Sequence, residues 1–387
     1  MRRLLILVCV LVLVDTMLYA ALTPLLGHFA HELKLSKGGA GVLVAAYAAG
    51  ALLGGLPGGL AAVRVGPRRA VLIGLTLMGF TSVAFALADN FPTLCLARLA
   101  QGAGSAFTWA GAFAWLLAAA PRERRGEMIG TAMGAAVFGA LCGPVVGSTA
   151  SLVGRTPVFC ALGGLAAVLI AVTLRIESAP TEEPSVAALR RALAGGPFLG
   201  GLALMTLAAL LSGIISVVAP LHLSAAGWSA TAIGAVWLIG AAFETAQSPL
   251  IGRLSDRRGA LVPVRYALGG GVVASLTLIV GAAPLIYALL VMIASAVYGA
   301  LFTPAFALIA DGADAADLAQ GMAFGFMNAA WAMGAMIGPA AGGAIAGATG
   351  EDTPFLIAAG VCLVTFAAIR PRAHPGAAGV REVVRNE

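Results

Sequence analysis

The sequence predicts an all-α membrane protein, with twelve transmembrane helices arranged as two six-helix bundles related by a pseudo-two-fold axis. Three observations predict it. Of 387 residues, 60% are hydrophobic and 10% are charged, against ~25% charged in a soluble globular protein, so charge cannot cover a water-exposed surface. Apolar runs able to cross a ~30 Å hydrocarbon core recur twelve times. The second half of the chain also repeats landmarks of the first. Twelve helices of about 22 residues each leave residues only for short loops and tails, which excludes a sizeable soluble domain, a coiled coil or a disulfide scaffold.

The first run follows Arg2 and Arg3 and continues from Leu4 past Asp15 to about Leu26. That is longer than the core of a cleavable signal, so it is expected to remain as span 1. Spans 2 to 6 fall at about 39–63, 70–89, 92–119, 128–152 and 157–175. A polar stretch, 176–196, then interrupts the pattern with Glu177, Glu182, Glu183, Pro184, Arg190 and Arg191. Spans 7 to 12 fall at about 197–222, 229–252, 262–283, 285–310, 319–346 and 354–369. The expected organisation is one bundle over 1–175, a cytoplasmic linker over 176–196, a second bundle over 197–370 and a cytoplasmic tail over 371–387. Cys9, Cys95, Cys142, Cys160 and Cys362 are scattered without paired spacing and read as small membrane-buried residues.

Lysine and arginine set the orientation. With both termini cytoplasmic, the inner side holds Arg2, Arg3, Arg64, Arg68, Arg69, Arg122, Arg124, Arg125, Arg175, Arg190, Arg191, Arg253, Arg257, Arg258, Arg265, Arg370, Arg372, Arg381 and Arg385. The outer side holds Lys34, Lys37 and Arg155, and Arg98 lies within a span. The expected location is the inner (plasma) membrane. The positive net charge follows from these short loop clusters and does not point to nucleic acid.

Repetition is visible in single residues. Pro24 recurs as Pro220 at an offset of 196, Gly66 as Gly259 at 193, and Gly143-Pro144 as Gly338-Pro339 at 195. Two homologous bundles imply an axis along the membrane normal with a path between them. In spans 5 and 11, glycines four apart (Gly139, Gly143, Gly147; Gly334, Gly338, Gly342) let helices approach closely in lipid, and Pro144 and Pro339 bend them. Plain helix packing explains these glycines as well as a tight, bendable seam between halves does.

Three motifs resemble the major facilitator superfamily of secondary transporters, over nearly the whole chain. The loop between spans 8 and 9 reads GRLSDRRG, containing Gly252, Asp256, Arg257 and Gly259. Span 4 reads RLAQGAGSA from Arg98, and span 5 reads GALCGPVVGS from Gly139. The last resembles a pattern of antiporters in particular, and span 11 repeats it as GAMIGPAAGG. The loop between spans 2 and 3, with Arg64, Gly66 and Arg68, departs from the pattern: Val63 stands where the family usually has an acid. The resemblance places Asp256 near the start of span 5. Arg64, Arg68 and Arg69 are expected to pair with Asp311, Asp314 and Asp317.

Ionisable groups inside spans are costly and mark function by default. Asp15, Glu244 and Arg98 are the three that lie well inside, and they are the expected proton-coupling residues. LVLVDTMLY resembles span 1 of the drug:proton antiporters, vesicular amine transporter relatives included. The acids those relatives carry in spans 10 and 11 have no counterpart; Gly299 and Asn328 stand nearby, so a monoamine substrate is not implied. Tyr19, Tyr47, Phe107, Trp109, Phe243, Gln247, Asn328 and Trp331 are candidates to shape a cavity, since aromatic faces attract lipophilic and cationic ligands. His28 and His31 have only Glu32 near and make a poor metal site. No nucleotide-binding loop occurs. The expected partners are a small-molecule substrate, protons and membrane lipid, with no cofactor, no metal, no nucleic acid and a monomeric state. The expected activity is proton-coupled efflux of an amphipathic or cationic molecule. Export of a neutral metabolite, and a non-transporting sensor, are the alternatives.

Overall fold

The computed structural model describes residues 2–120, 125–177, 186–280, 283–318 and 320–369. Span 1 comprises α1 (Arg2–Ala20), a 3-10 turn (Thr23–Leu25) and α2 (Leu26–Glu32). Spans 2 to 6 are α3 (Lys37–Arg64), α4 (Pro67–Leu87), α5 (Phe91–Ala119), α6 (Arg125–Val153) and α7 (Arg155–Thr173). Spans 7 to 9 are α9 (Gly196–Ala225), α10 (Ala230–Arg258) and α11 (Leu261–Thr277). Span 10 is split into α12 (Pro284–Gly299) and α13 (Phe302–Ala315), and spans 11 and 12 are α14 (Gln320–Thr349) and α15 (Asp352–Ala368). Between the halves lies a short helix the sequence pattern did not predict, α8 (Val186–Ala194). Arg122, Arg124, Glu182, Glu183, Pro184, the tail from Arg370 and the side chain of Asp256 lie outside the described residues.

Local chemistry starts the helices. Ser36, Asn90 and Ser229 cap α3, α5 and α10 by accepting the backbone N–H three residues on, which satisfies donors the first turn leaves open. The repeated loop glycines Gly66 and Gly259 have φ of +93° and +83°, a region that suits residues without a Cβ. One hydrophobic core gathers Leu11, Phe29, Phe85 and Phe159 from the first half, another Phe198, Leu211, Tyr298 and Phe355 from the second.

The motif glycines seat helices within each half rather than across the seam. A Cβ on Gly139 would lie 2.1 Å from the Leu13 carbonyl oxygen and one on Gly147 2.2 Å from that of Ala21, so α6 rides on α1. A Cβ on Gly334 would lie 2.1 Å from the Thr206 carbonyl and one on Gly338 2.3 Å from that of Leu210, so α14 rides on α9. Gly143 and Gly342 continue the two contacts against Ala20 and Ile214. Equivalent hydrogen bonds pin both pairs: Thr16 donates to the Ala136 carbonyl at 2.7 Å, and Thr206 to that of Ala330 at 3.0 Å.

The seam between halves uses other glycines. A Cβ on Gly41 would meet the Pro339 carbonyl oxygen at 2.2 Å, and one on Gly343 the Lys37 carbonyl at 2.4 Å. On the other flank a Cβ on Gly234 would meet Ser148 Oγ at 2.1 Å and the Pro144 carbonyl at 3.2 Å. Eighteen residues make five turns, so Gly59 lies on the same face of α3 as Gly41, and Gly325 on the same face of α14 as Gly343. Gly252 and Gly130 bear the same relation to Gly234 and Ser148. All four of these glycines have nothing within 4 Å of a built Cβ. Both seams are therefore closed at one end and open at the other. The open end is the basic face, which bears the α3–α4 and α10–α11 loops. Pro57 and Pro249 interrupt α3 and α10 shortly before it.

Candidate functional site

Close packing of α3 on α5 builds the site. A Cβ on Gly50 would lie 1.8 Å from the Leu99 carbonyl oxygen, and one on Gly102 1.8 Å from that of Tyr47. This approach delivers Tyr47, Arg98, Ser105 and Trp109 to α1, where Asp15 is 3% exposed. Asp15 Oδ1 accepts from Tyr47 Oη at 3.0 Å; Oδ2 accepts from Ser105 Oγ at 2.8 Å and from Trp109 Nε1 at 2.6 Å. All three donors are neutral.

Arg98 does not pair with this carboxylate directly. Its guanidinium donates to the carbonyls of Leu18 and Tyr19, both at 3.1 Å, and to Gln101 Oε1 at 2.8 Å. Gln101 is held in turn by Ser82 at 3.2 Å. The guanidinium carbon lies 4.7 Å over the Tyr47 ring, so Tyr47 stands between cation and anion. Removal from water disfavours the ionised carboxyl, while the three donors and the nearby guanidinium favour it. Among the described residues no cationic side chain bonds this carboxylate directly.

The structure gathers Asp15, Tyr19, Tyr47, Arg98, Trp109 and Trp331 around one point. Tyr19 packs on Tyr47 at 5.2 Å and on Trp331 of α14 at 5.0 Å. Asn328 is half-buried, one turn from Trp331. Phe107 is not part of the group: two residues from both Ser105 and Trp109, it points about 200° away from them around α5, and its Cα lies 3.0 Å from a Cβ built on Gly58. Phe243 is 59% exposed and nine residues from Gly234, hence on the opposite side of α10.

Glu244 and Gln247 of span 8 form a separate group against span 10. A Cβ on Gly299 would fall 2.2 Å from Glu244 Cδ, and Gln247 donates to the Ala296 carbonyl. On the basic face, Arg68 donates to the Leu174 carbonyl rather than to the acids before α14. Asp317 instead meets Arg191 of α8 at 3.6 Å, and Arg191 also donates to the Ala316 carbonyl at 3.0 Å. Ser105, Phe113 and Phe324 belong to the site without having been singled out in the sequence. Ser105 and Phe113 were within reach of helical arithmetic, lying one turn either side of Trp109.

Residues 8–323 match the Major Facilitator Superfamily. The chain belongs to that superfamily. This membrane transporter is 35% identical over 155 residues to a probable vesicular acetylcholine transporter-B of Danio rerio. The match covers 38% of the present chain and 31% of that relative. It is also 28% identical over 135 residues to the MFS-type transporter ppzB of Metarhizium rileyi, 35% and 27% of the two chains. Its fold is shared with a bacterial homologue of the human lysosomal transporter Spinster, in an inward-facing and unoccupied conformation. That likeness has a TM-score of 0.73 and 17% identity, over 94% and 95% of the two chains. The nucleoside transporter NupG superposes with a TM-score of 0.71 at 15% identity, over 94% and 98%.

Proposed function

We propose that this transporter is a proton-coupled antiporter that exports an amphipathic or cationic small molecule by alternating access, with Asp15 as the group shared by proton and substrate. The observation that carries this reading is the Asp15 carboxylate, buried mid-span, held by three neutral donors and flanked by the rings of Tyr19, Tyr47, Trp109 and Trp331. A carboxylate among aromatic faces suits an organic cation. The partial relationship to vesicular acetylcholine transporters favours the same class. Protonation and cation binding both neutralise Asp15, so they compete, and competition at one site enforces exchange. With the basic face cytoplasmic, as the arginine distribution implies, the open end of both seams faces inward. Glu244 is a second, weaker candidate for coupling.

The test is Asp15→Asn in proteoliposomes carrying a pH gradient, with a panel of organic cations and neutral compounds. Uphill transport should be lost while downhill exchange of neutral compounds survives. Parent-like uphill transport by Asp15→Asn would remove Asp15 from coupling. If neither Asp15→Asn nor Glu244→Gln changes it, proton antiport is wrong and export of a neutral metabolite takes its place.

A further inference from the structure

The closed face holds a second group of charged residues. Glu351, at the start of α15, accepts from Lys37 Nζ of the first half at 2.5 Å and meets His222 Nδ1 at 2.6 Å. The rings of His222 and Tyr287 lie 4.1 Å apart, centroid to centroid. His222, Leu278, Ile279, Tyr287, Glu351 and Asp352 line a cavity of about 50 Å³. All six belong to the second half. Liquid water takes about 30 Å³ per molecule, so the cavity suits one small guest.

Tyr287 is 4% exposed, and its Oη is buried with no hydrogen-bond partner among the described residues. The carboxylates of Glu351 and Asp352 both act electrostatically on that hydroxyl. Anions suit the first turn of a helix, which accounts for these two acids at the start of α15. It does not account for Tyr287, since buried hydroxyls normally have a partner. The C-terminal end of α11, at Leu278, adds the negative end of a helix dipole to the same wall.

Charge decides what the guest is. Glu351 and Asp352 bring two negative charges and Lys37 one positive, so with His222 neutral one negative charge is left over. A monovalent cation balances it, whereas a divalent one overshoots. Carboxylate and phenol oxygens are hard donors that suit such an ion. Among the described residues no three His, Cys, Asp or Glu side chains converge into a tighter metal cage.

We propose that this cavity binds a sodium-sized monovalent cation from the outer side, and that the bound cation loosens the outer seam. Tyr287 Oη and the carboxylates of Glu351 and Asp352 are its protein ligands. The cation shares the Glu351 charge on which Lys37 depends, and Lys37 is the member of the group that comes from the first half. Weakening that bond therefore loosens one half from the other. By linkage, the cation binds more tightly once Lys37 has left, so external sodium favours opening of the outer face. Asp15 takes no part, and the proposal stands whatever that residue does.

The probe is sodium itself. Binding of radioactive sodium is measured on purified full-length protein in detergent micelles at about pH 8, where an ordinary imidazole is uncharged, with choline chloride holding the ionic strength. Saturable binding is expected, weakened roughly tenfold in Asp352→Asn and severalfold in Tyr287→Phe. Asp89→Asn, which removes an acid of the α4–α5 loop in the first half, should bind as the parent does. A cysteine at Gly38, with the native cysteines replaced by alanine, should react with an impermeant thiol reagent roughly two- to fivefold faster when sodium replaces choline. In Asp352→Asn that acceleration should vanish. Absence of saturable binding would mean that water alone fills the cavity, and binding untouched by both Asp352→Asn and Tyr287→Phe would mean an adventitious ion only; either overturns the site. Magnesium displacing sodium at equal concentration overturns the monovalent assignment. Sodium that binds as expected but leaves labelling at Gly38 unchanged or slower overturns the loosening of the seam.

Discussion

Gly41 and Gly59 share one face of α3, five turns apart, and alanine at the two positions should push this transporter in opposite directions. At Gly41 the new methyl would sit 2.2 Å from the Pro339 carbonyl oxygen. That obstacle is backbone and cannot rotate away. Reaching ordinary contact at 3.4 Å requires α3 and α14 to separate by about 1.2 Å at the closed face. Overpacking of this kind costs about 1–3 kcal/mol, all of it charged to the state in which the outer seam is shut. The equilibrium should move roughly 5- to 150-fold toward the opposite conformation. At Gly59 the methyl meets nothing within 4 Å, so the present state tolerates it and closure of the basic face is penalised instead. Labelling of a cysteine at Gly252 reads both: slower with Gly41→Ala, faster or unchanged with Gly59→Ala. Effects of the same sign would refute the two-ended reading of these seams.

Three further outcomes are expected. Glu351, in the loop before α15, bridges the halves at the closed face, accepting from Lys37 Nζ at 2.5 Å and meeting His222 Nδ1 at 2.6 Å. Burial would raise its pKa, but the hydrogen bonds and charges of Lys37 and His222 outweigh burial and hold it below the usual value. The clasp is therefore intact above the ordinary carboxylate range and is lost as pH falls through the depressed pKa. For a partly exposed group its worth is about 0.5–1 kcal/mol, so Glu351→Gln should loosen the outer seam by roughly two- to fivefold at neutral pH, read by thiol labelling at Gly38. Gly299→Ala should lower the Tm, through a cost of about 1–3 kcal/mol, by forcing Glu244 out of its niche; Glu244→Gln keeps the shape and should leave the Tm within a few degrees of the parent's. A cysteine at Val63, 42% exposed on the basic face, should react with impermeant reagents from the cytoplasm and not from the periplasm.

The twelve spans, the repeat and Asp15 were legible because each is a local signal: an apolar run, a glycine offset, a carboxylate where none is cheap. What Asp15 touches was less legible, since Tyr47 and Ser105 are 32 and 90 residues away along the chain. Arg98 was grouped with Asp15 as an ionisable residue inside a span, yet the Leu18 and Tyr19 carbonyls hold it, and backbone acceptors leave no trace in composition. Phe107 and Phe243 were nominated for being aromatic, whereas their angular positions about α5 and α10 turn them away. Helix α8 escaped notice because its buried face is made of Ala188 and Ala192, each 1% exposed and too small to mark an apolar stripe.

Thr16 and Thr206 make the same bond in the two halves, but the residue before each differs: Asp15 in the first, Met205, 2% exposed, in the second. The duplicated architecture is therefore symmetric in its joinery and asymmetric in its chemistry. One copy carries the acid and its donors, while the other offers α14 as a lever with no buried acid at the matching place. The second half has Met205 where the first has Asp15, so its matching position is constrained by packing rather than by charge. New cargo preferences should accordingly be easiest to install on the α14 face around Asn328, where a substitution leaves Asp15 and its donors untouched.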